Sequence, residues 1–143
     1  MDRIAELLEE WDVEHFLVHG GLSSVTTRGR MPGNIGWPVS VTNPYSDKVL
    51  GKFELYDRAM CGSGLQKGHH IIDPRNGQPL QRKRAAWAFT PDATTGDGLS
   101  TAFMVMDIEE IEEYCRERPE ISALIVDHEN GTLREWRFGE MEE

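Results

Sequence analysis

Cys61-Gly62-Ser63-Gly64, a short spacer, then His69-His70-Ile71-Ile72-Asp73-Pro74-Arg75-Asn76-Gly77-Gln78-Pro79 is the stretch against which the rest of the chain is read. Gly62 and Gly64 let a backbone approach a ligand closely, so Gly62-Ser63-Gly64 reads as a glycine turn. Asp73-Pro74 followed by Asn76-Gly77 is turn chemistry. His70 can take or release a proton near neutral pH. With Asp73 three residues on, it is either a general base or acid oriented by a carboxylate, or a strand-end histidine beside a turn. His69 would face the other way, toward solvent, because adjacent strand residues alternate.

Further along, Gly96-Asp97-Gly98-Leu99-Ser100-Thr101 offers a second constellation. On a helix, Asp97 and Thr101 share a face. A carboxylate and a hydroxyl there present hard oxygens to Mg²⁺, an ion that accepts few protein ligands and keeps waters or phosphates. The competing reading makes Asp97 the N-cap of a helix that buries the threonine. Upstream, Leu17-Val18-His19 runs into Gly20-Gly21, whose backbone N–H groups suit a phosphate or a tight crossing. Neither glycine pair matches a P-loop or the dinucleotide fingerprint. Arg82-Lys83-Arg84 reads as a solvated loop, with attraction of anions as the alternative.

Around these stretches the chain alternates short strands and a few helices. Ile4, Leu7, Leu8 and Trp11 recur at helical spacing, so residues 2–11 predict an amphipathic helix with an acidic outer face. Strands are predicted at 16–18, 23–27, 37–42, 49–56, 85–89, 121–127 and 132–138. Asn130-Gly131 marks a hairpin between the last two. A helix is predicted from Asp97, with Leu99, Ala102, Phe103 and Met106 inward, after a loop over 92–96. A second covers 107–117, with Ile108, Ile111 and Cys115 on one stripe and Pro119 as its stop. The pattern is one α+β domain over residues 1–143, with a mostly antiparallel sheet and two or three helices.

Composition narrows the function classes. A net charge of −10 argues against a nucleic-acid scaffold. Two cysteines, with no Cys-x-x-Cys pair, read as free thiols of a reducing compartment. No stretch approaches the roughly 18 apolar residues of a membrane span. The first residues lack a signal-peptide pattern, from which a cytoplasmic location is expected.

Taken in order, these pieces resemble the ApbE family, the FAD:protein FMN transferases. The resemblance rests on Asp2-Arg3-Ile4-Ala5-Glu6-Leu7-Leu8, Leu17-Val18-His19-Gly20-Gly21, Gly62-Ser63-Gly64, His70-Ile71-Ile72-Asp73-Pro74 and Asp97-Gly98-Leu99-Ser100-Thr101-Ala102. It implies binding of FAD and Mg²⁺, and transfer of FMN to a Ser or Thr hydroxyl of an acceptor protein. On that resemblance Asp97 and Thr101 hold Mg²⁺, and His70 is the base on the acceptor hydroxyl. Gly20, Gly21, Ser63, Gly64, His70 and Asp73 shape the FAD site.

The departures are specific. The resemblance covers only the family's C-terminal half, so an active transferase would need the other half from a partner chain, from oligomerisation or from elsewhere in the same product. The alternative is a flavin-binding module or remnant without transfer activity. An apolar face left by the absent half would invite a homodimer. Gly62 stands where the family usually has Thr, Asn76 replaces the Thr of Asp-Pro-x-Thr-Gly, and Gly96-Asp97-Gly98 replaces Ala-Asp-Ala. An acceptor motif beginning at Asp92 would put its hydroxyl position on Gly98, which argues against self-modification there.

Overall fold

A computed structural model describes every residue except Leu22, Asp47, Gln66, Lys67, His69, Asn130 and Glu143. The expected solvent-facing His69 and the asparagine of the Asn-Gly hairpin therefore lie outside the described residues. Helix α1 (Asp2–Glu10) leads into β1 (Phe16–His19), β2 (Ser24–Arg28), the hairpin β3 (Trp37–Thr42) and β4 (Val49–Leu55), and β5 (Ala59–Gly64). The short ribbon β6 (Ile72–Asp73) and β7 (Gln78–Pro79) precedes β8 (Lys83–Thr90). Helices α2 (Ala93–Val105) and α3 (Ile108–Glu117) then lead to the hairpin β9 (Ser122–Glu129) and β10 (Thr132–Phe138).

Six strands form one sheet in the order β1-β2-β5-β8-β9-β10, and every pairing in it is antiparallel. The α+β class is as expected. Alternation sends the two faces of β8 and β9 to different cores. Ala86, Ala88, Ala123 and Ile125 meet Phe103, Met104, Ile111 and Cys115 of α2 and α3. Ala85, Phe89, Leu124 and Val126 meet Val41, Leu50, Phe53 and Leu55 of the β3–β4 hairpin, with the Phe53 and Phe89 rings 4.9 Å apart edge to face.

Three expectations are corrected. Gly62-Ser63-Gly64 is not a turn but the end of central strand β5, paired with Trp87, Ala86 and Ala85 of β8. Its small residues suit the position: a Cβ on Gly62 would lie 2.7 Å from the Trp87 ring. Helix α2 begins at Ala93 rather than Asp97, because Asp92 is the N-cap and accepts the Thr95 N–H at 2.7 Å. Asp97 is thus inside the helix, and the N-cap reading of it fails. Arg82-Lys83-Arg84 is not a solvated loop, since Arg84 is 1% exposed within β8.

The two acid-backed amphipathic helices differ. Helix α3 buries Ile111 and Cys115, with a capping box from Asp107 and Glu110. Burial pushes the Cys115 thiol up to about 11. Helix α1 buries only Ala5, leaving Ile4, Leu7 and Trp11 at 50%, 43% and 68% exposure.

Candidate active site

Helix α2 crosses the sheet face against β5 and β8, and three features fix it there. Gly96 allows the close approach: a Cβ would sit 2.7 Å from the Thr90 hydroxyl and 3.0 Å from the Cys61 sulfur. At the N-terminal end, Ala93 packs with Ala59, Cys61 and Met1. At the C-terminal end, two guanidinium groups take carbonyls that would otherwise lack partners. Arg84 donates to Phe103 and Met106 carbonyls at 3.1 and 2.6 Å, and pairs bidentately with Asp127, both bonds 2.7 Å. Arg82 donates to the carbonyls of Met104 and Met106 at 3.1 and 2.8 Å.

This packing brings two separated motifs together. The Ser63 hydroxyl lies 2.9 Å from that of Ser100 and 3.1 Å from that of Thr101. Ser100 and Thr101 both donate to the Asp97 carbonyl, at 3.1 and 3.3 Å. Ser63 has one proton and can donate to only one of them, so Thr101 Oγ1 keeps at least one lone pair free. Among the described residues the Asp97 carboxylate takes no hydrogen bond and forms no ion pair, and it is exposed one turn before Thr101. An unengaged carboxylate and a hydroxyl with a spare lone pair on one helix face fit a hard cation that keeps most of its own waters. Three-residue clusters of His, Cys, Asp or Glu suited to a metal are absent among the described residues.

The other expected residues lie apart from this group. Gly20 and Gly21 occupy the β1–β2 connection, where the Gly20 N–H already donates to the Ser24 carbonyl at 2.8 Å. Gly21, at φ 82°, takes a left-handed conformation. The Gly62 N–H donates to the Ser23 carbonyl at 2.7 Å, so this turn abuts the end of β5 that carries Ser63 and Gly64. Asp73 opens the turn between β6 and β7, its carboxylate accepting the Arg75 N–H and its carbonyl the Gly77 N–H. His70 is exposed, and its Nδ1 lies 2.9 Å from the Gly68 carbonyl. Because a carbonyl only accepts, Nδ1 must carry the proton there, which leaves a lone pair on Nε2 when the ring is neutral. The orienting partner is therefore Gly68, not Asp73. Neither His70 nor Asp73 bonds to the Ser63–Thr101 group, although Ile71 between them packs into the core that holds Phe103.

With this geometry in place, comparison with known proteins is informative. A model of the ApbE family matches residues 1–125. The chain belongs to the ApbE family. Two FAD:protein FMN transferases of Klebsiella pneumoniae (strain 342) are 26% and 25% identical over 137 and 142 residues. They align with 87% and 91% of this chain but only 41% and 40% of their own length, so the chain spans about two fifths of these curated relatives. The crystal structure of an ApbE protein from Thermotoga maritima MSB8 superposes with a TM-score of 0.78 at 29% identity, covering 93% of this chain and 46% of that one. The α+β fold of this chain is thus that of part of an ApbE protein.

Several contacts around the candidate site could not be read from the sequence. Ser100, quoted in the Asp97–Ala102 block without a role of its own, is fully buried against Ser63. Asp2 and Asp92 both serve the first turn of α2, and only Asp92, three residues before Thr95, carries a local capping signal. Gly62, in place of the family's Thr, matches Trp87 across the strand pair, whose ring fills the space that a side chain would need.

Proposed function

We propose that the chain serves Mg²⁺-dependent transfer of FMN from FAD to a Ser or Thr hydroxyl of a partner protein. The observation that carries this reading is the Ser63–Thr101 bond, which sets a strand-end hydroxyl against the helix face bearing the unengaged Asp97 carboxylate. In the reaction, the acceptor oxygen bonds to the FMN phosphorus, the pyrophosphate P–O bond breaks and AMP leaves. Such displacements depend mainly on positioning and charge neutralisation. Asp97 and Thr101 are the residues that would hold Mg²⁺, which when bound supplies positive charge to the pyrophosphate oxygens. Gly20, Gly21, Ser63, Gly64 and Asp73 are the residues that would shape the FAD site. His70 would accept the proton of the attacking hydroxyl at Nε2, the nitrogen left free by its bond to Gly68.

One observation favours a second reading, a flavin-binding module without transfer. Among the described residues, His70 makes no hydrogen bond to the Ser63–Thr101 group. The exposed Ile4, Leu7 and Trp11 stripe supports an assembly in which a second copy or another polypeptide covers α1. Sedimentation as a monodisperse monomer at micromolar concentration counts against that assembly.

The test is FAD titration by fluorescence quenching with and without Mg²⁺, followed by measurement of AMP release. Mg²⁺-dependent release abolished by Asp97→Ala supports transfer. Saturable binding without release supports the binding module, and no binding at high micromolar FAD counts against both.

A further inference from the structure

We propose that Asp2 is a positioning residue for the candidate active site, its carboxylate fixing the first turn of α2 and through it the helix face that carries Asp97 and Thr101. The inference rests on the reading of those two residues as the metal-holding pair. Asp2 Oδ1 accepts the Ala93 N–H at 2.9 Å, and Oδ2 accepts the Thr94 N–H at 2.8 Å together with the Thr94 hydroxyl. These bonds join residues more than ninety positions apart in the chain.

A helix begins with four N–H groups that lack internal partners. Helix α2 already has a local cap in Asp92, which accepts the N–H and hydroxyl of Thr95 at 2.7 and 2.9 Å. Asp2 takes the two amides that this cap leaves, one of them on buried Ala93. Ala93, Asp97 and Thr101 are spaced four apart and lie along one ridge of the helix. A shift of the first turn therefore carries the candidate metal-holding oxygens with it. Asp2 is also the first residue of α1, so its carboxylate lies at the positive ends of two helices. Burial pushes its carboxyl up, but the Thr94 hydroxyl, the Ala93 and Thr94 amides and the Met1 amino group outweigh this and hold it below the ordinary aspartate range. Met1, beside Ala93 and Cys61, seats the start of α1 in the same place.

The experiment compares the full chain with Asp2→Asn, which keeps the size and one acceptor, and Asp2→Glu, which keeps the charge. Amide exchange and backbone chemical shifts are followed by NMR, and FAD binding is titrated against Mg²⁺. Asp2→Asn should speed exchange at Ala93 and Thr94 about tenfold, as expected for a lost helix cap. It should shift the amide resonances of Asp97 and Thr101 and raise the Mg²⁺ concentration needed to enhance FAD binding, leaving Mg²⁺-free FAD binding unchanged. Asp2→Glu should recover part of each effect. Unchanged Asp97 and Thr101 resonances overturn the proposal whatever FAD does. Shifted resonances with an unchanged Mg²⁺ requirement overturn it too, leaving a cap of structural role only. A wild-type chain whose FAD binding ignores Mg²⁺ overturns the functional reading and the proposal's link to it, an outcome distinct from either result on the resonances.

Discussion

Helix α2 and the segment from His70 to Leu80 each carry part of the candidate site, and they are held in different ways. The helix is tied at one end by Asp2 and Asp92, in the middle by Gly96 against Cys61 and Thr90, and at the other end by Arg82 and Arg84. The segment hangs on buried Ile71, on the Leu80 N–H to Ile71 carbonyl bond, and on exposed Arg75, which reaches the Val105 carbonyl at 2.8 Å and Glu110 at 3.1 Å. Preorganisation is strongest where charge must be neutralised without rearrangement. The rigid part thus carries Asp97 and Thr101, while the lightly held part carries His70, the group that would meet a second, bulky substrate.

The largest test of the contrast is Arg84→Ala. It removes one partner of a buried pair and frees the Phe103 carbonyl, while the Met106 carbonyl keeps its bond from Arg82. Stranding a buried charge costs about 3–5 kcal/mol, so chemical denaturation should show a loss of that order. Joint replacement of Arg84 and Asp127 by apolar residues should recover much of it. A loss under about 1 kcal/mol for Arg84→Ala, the range of an exposed ion pair, would mean that this end of α2 is not where the helix is held.

Next comes Gly96→Val. Its side chain would push into Thr90 and Cys61 and lift α2 from β5, and overpacking of this kind costs about 1–3 kcal/mol. The Ser63–Thr101 contact should loosen with it, so FAD binding should lose its Mg²⁺ response before the fold is lost. Gly98→Ala is the control, since a Cβ there meets nothing within 4 Å.

The cap at the N-terminal end comes third. Asp92→Ala should cost about 1 kcal/mol in denaturant titration. The neighbouring Asp2 gives the contrast a pH dependence. Its carboxyl is held below the ordinary range in the folded chain, so its contribution is present above the unfolded value near pH 4 and is lost as pH falls through the lower folded value. Acid should therefore release the first turn of α2, seen as faster amide exchange at Ala93 and Thr94, and Asp2→Asn should remove that dependence. An acid response identical in the variant would assign it to other carboxylates.

These contrasts explain what could be read from the sequence. The β9–β10 hairpin and α3 were legible because their signals are local: Gly131 closes a two-residue loop, and Ile111 and Cys115 keep helical spacing behind Asp107. Strand β5 was not, because Gly62, Ser63 and Gly64 look like a turn until Trp87 is known to lie across from them. The start of α2 was hidden by Thr94, Thr95 and Gly96, poor helix formers whose turn is stabilised by a residue from the chain's other end. Burial of Arg84 depends on Asp127, 43 positions away, and no local pattern announces it. Among the site residues, the pairing of Ser63 with Thr101 was not legible, since nothing in either motif points to the other.

The smallest expected effect separates the two regions most cleanly. His70 is exposed, and among the described residues its ring bonds only to the carbonyl of Gly68, two residues before it, so His70→Gln removes no buried hydrogen bond there. Surface changes of this kind stay within about 0.5 kcal/mol. Denaturant midpoints should therefore be unchanged, and FAD binding with Mg²⁺ should remain, because the imidazole hydrogen-bonds to neither Asp97 nor Thr101. Transfer to a hydroxyl acceptor should nonetheless fall about 10²- to 10⁴-fold, the usual contribution of a positioned general base. Loss of stability with loss of binding would place His70 among the structural residues of the segment. Full transfer by His70→Gln would hand the proton to another group, and the division between a rigid charge-bearing helix and a lightly held base would no longer describe this site.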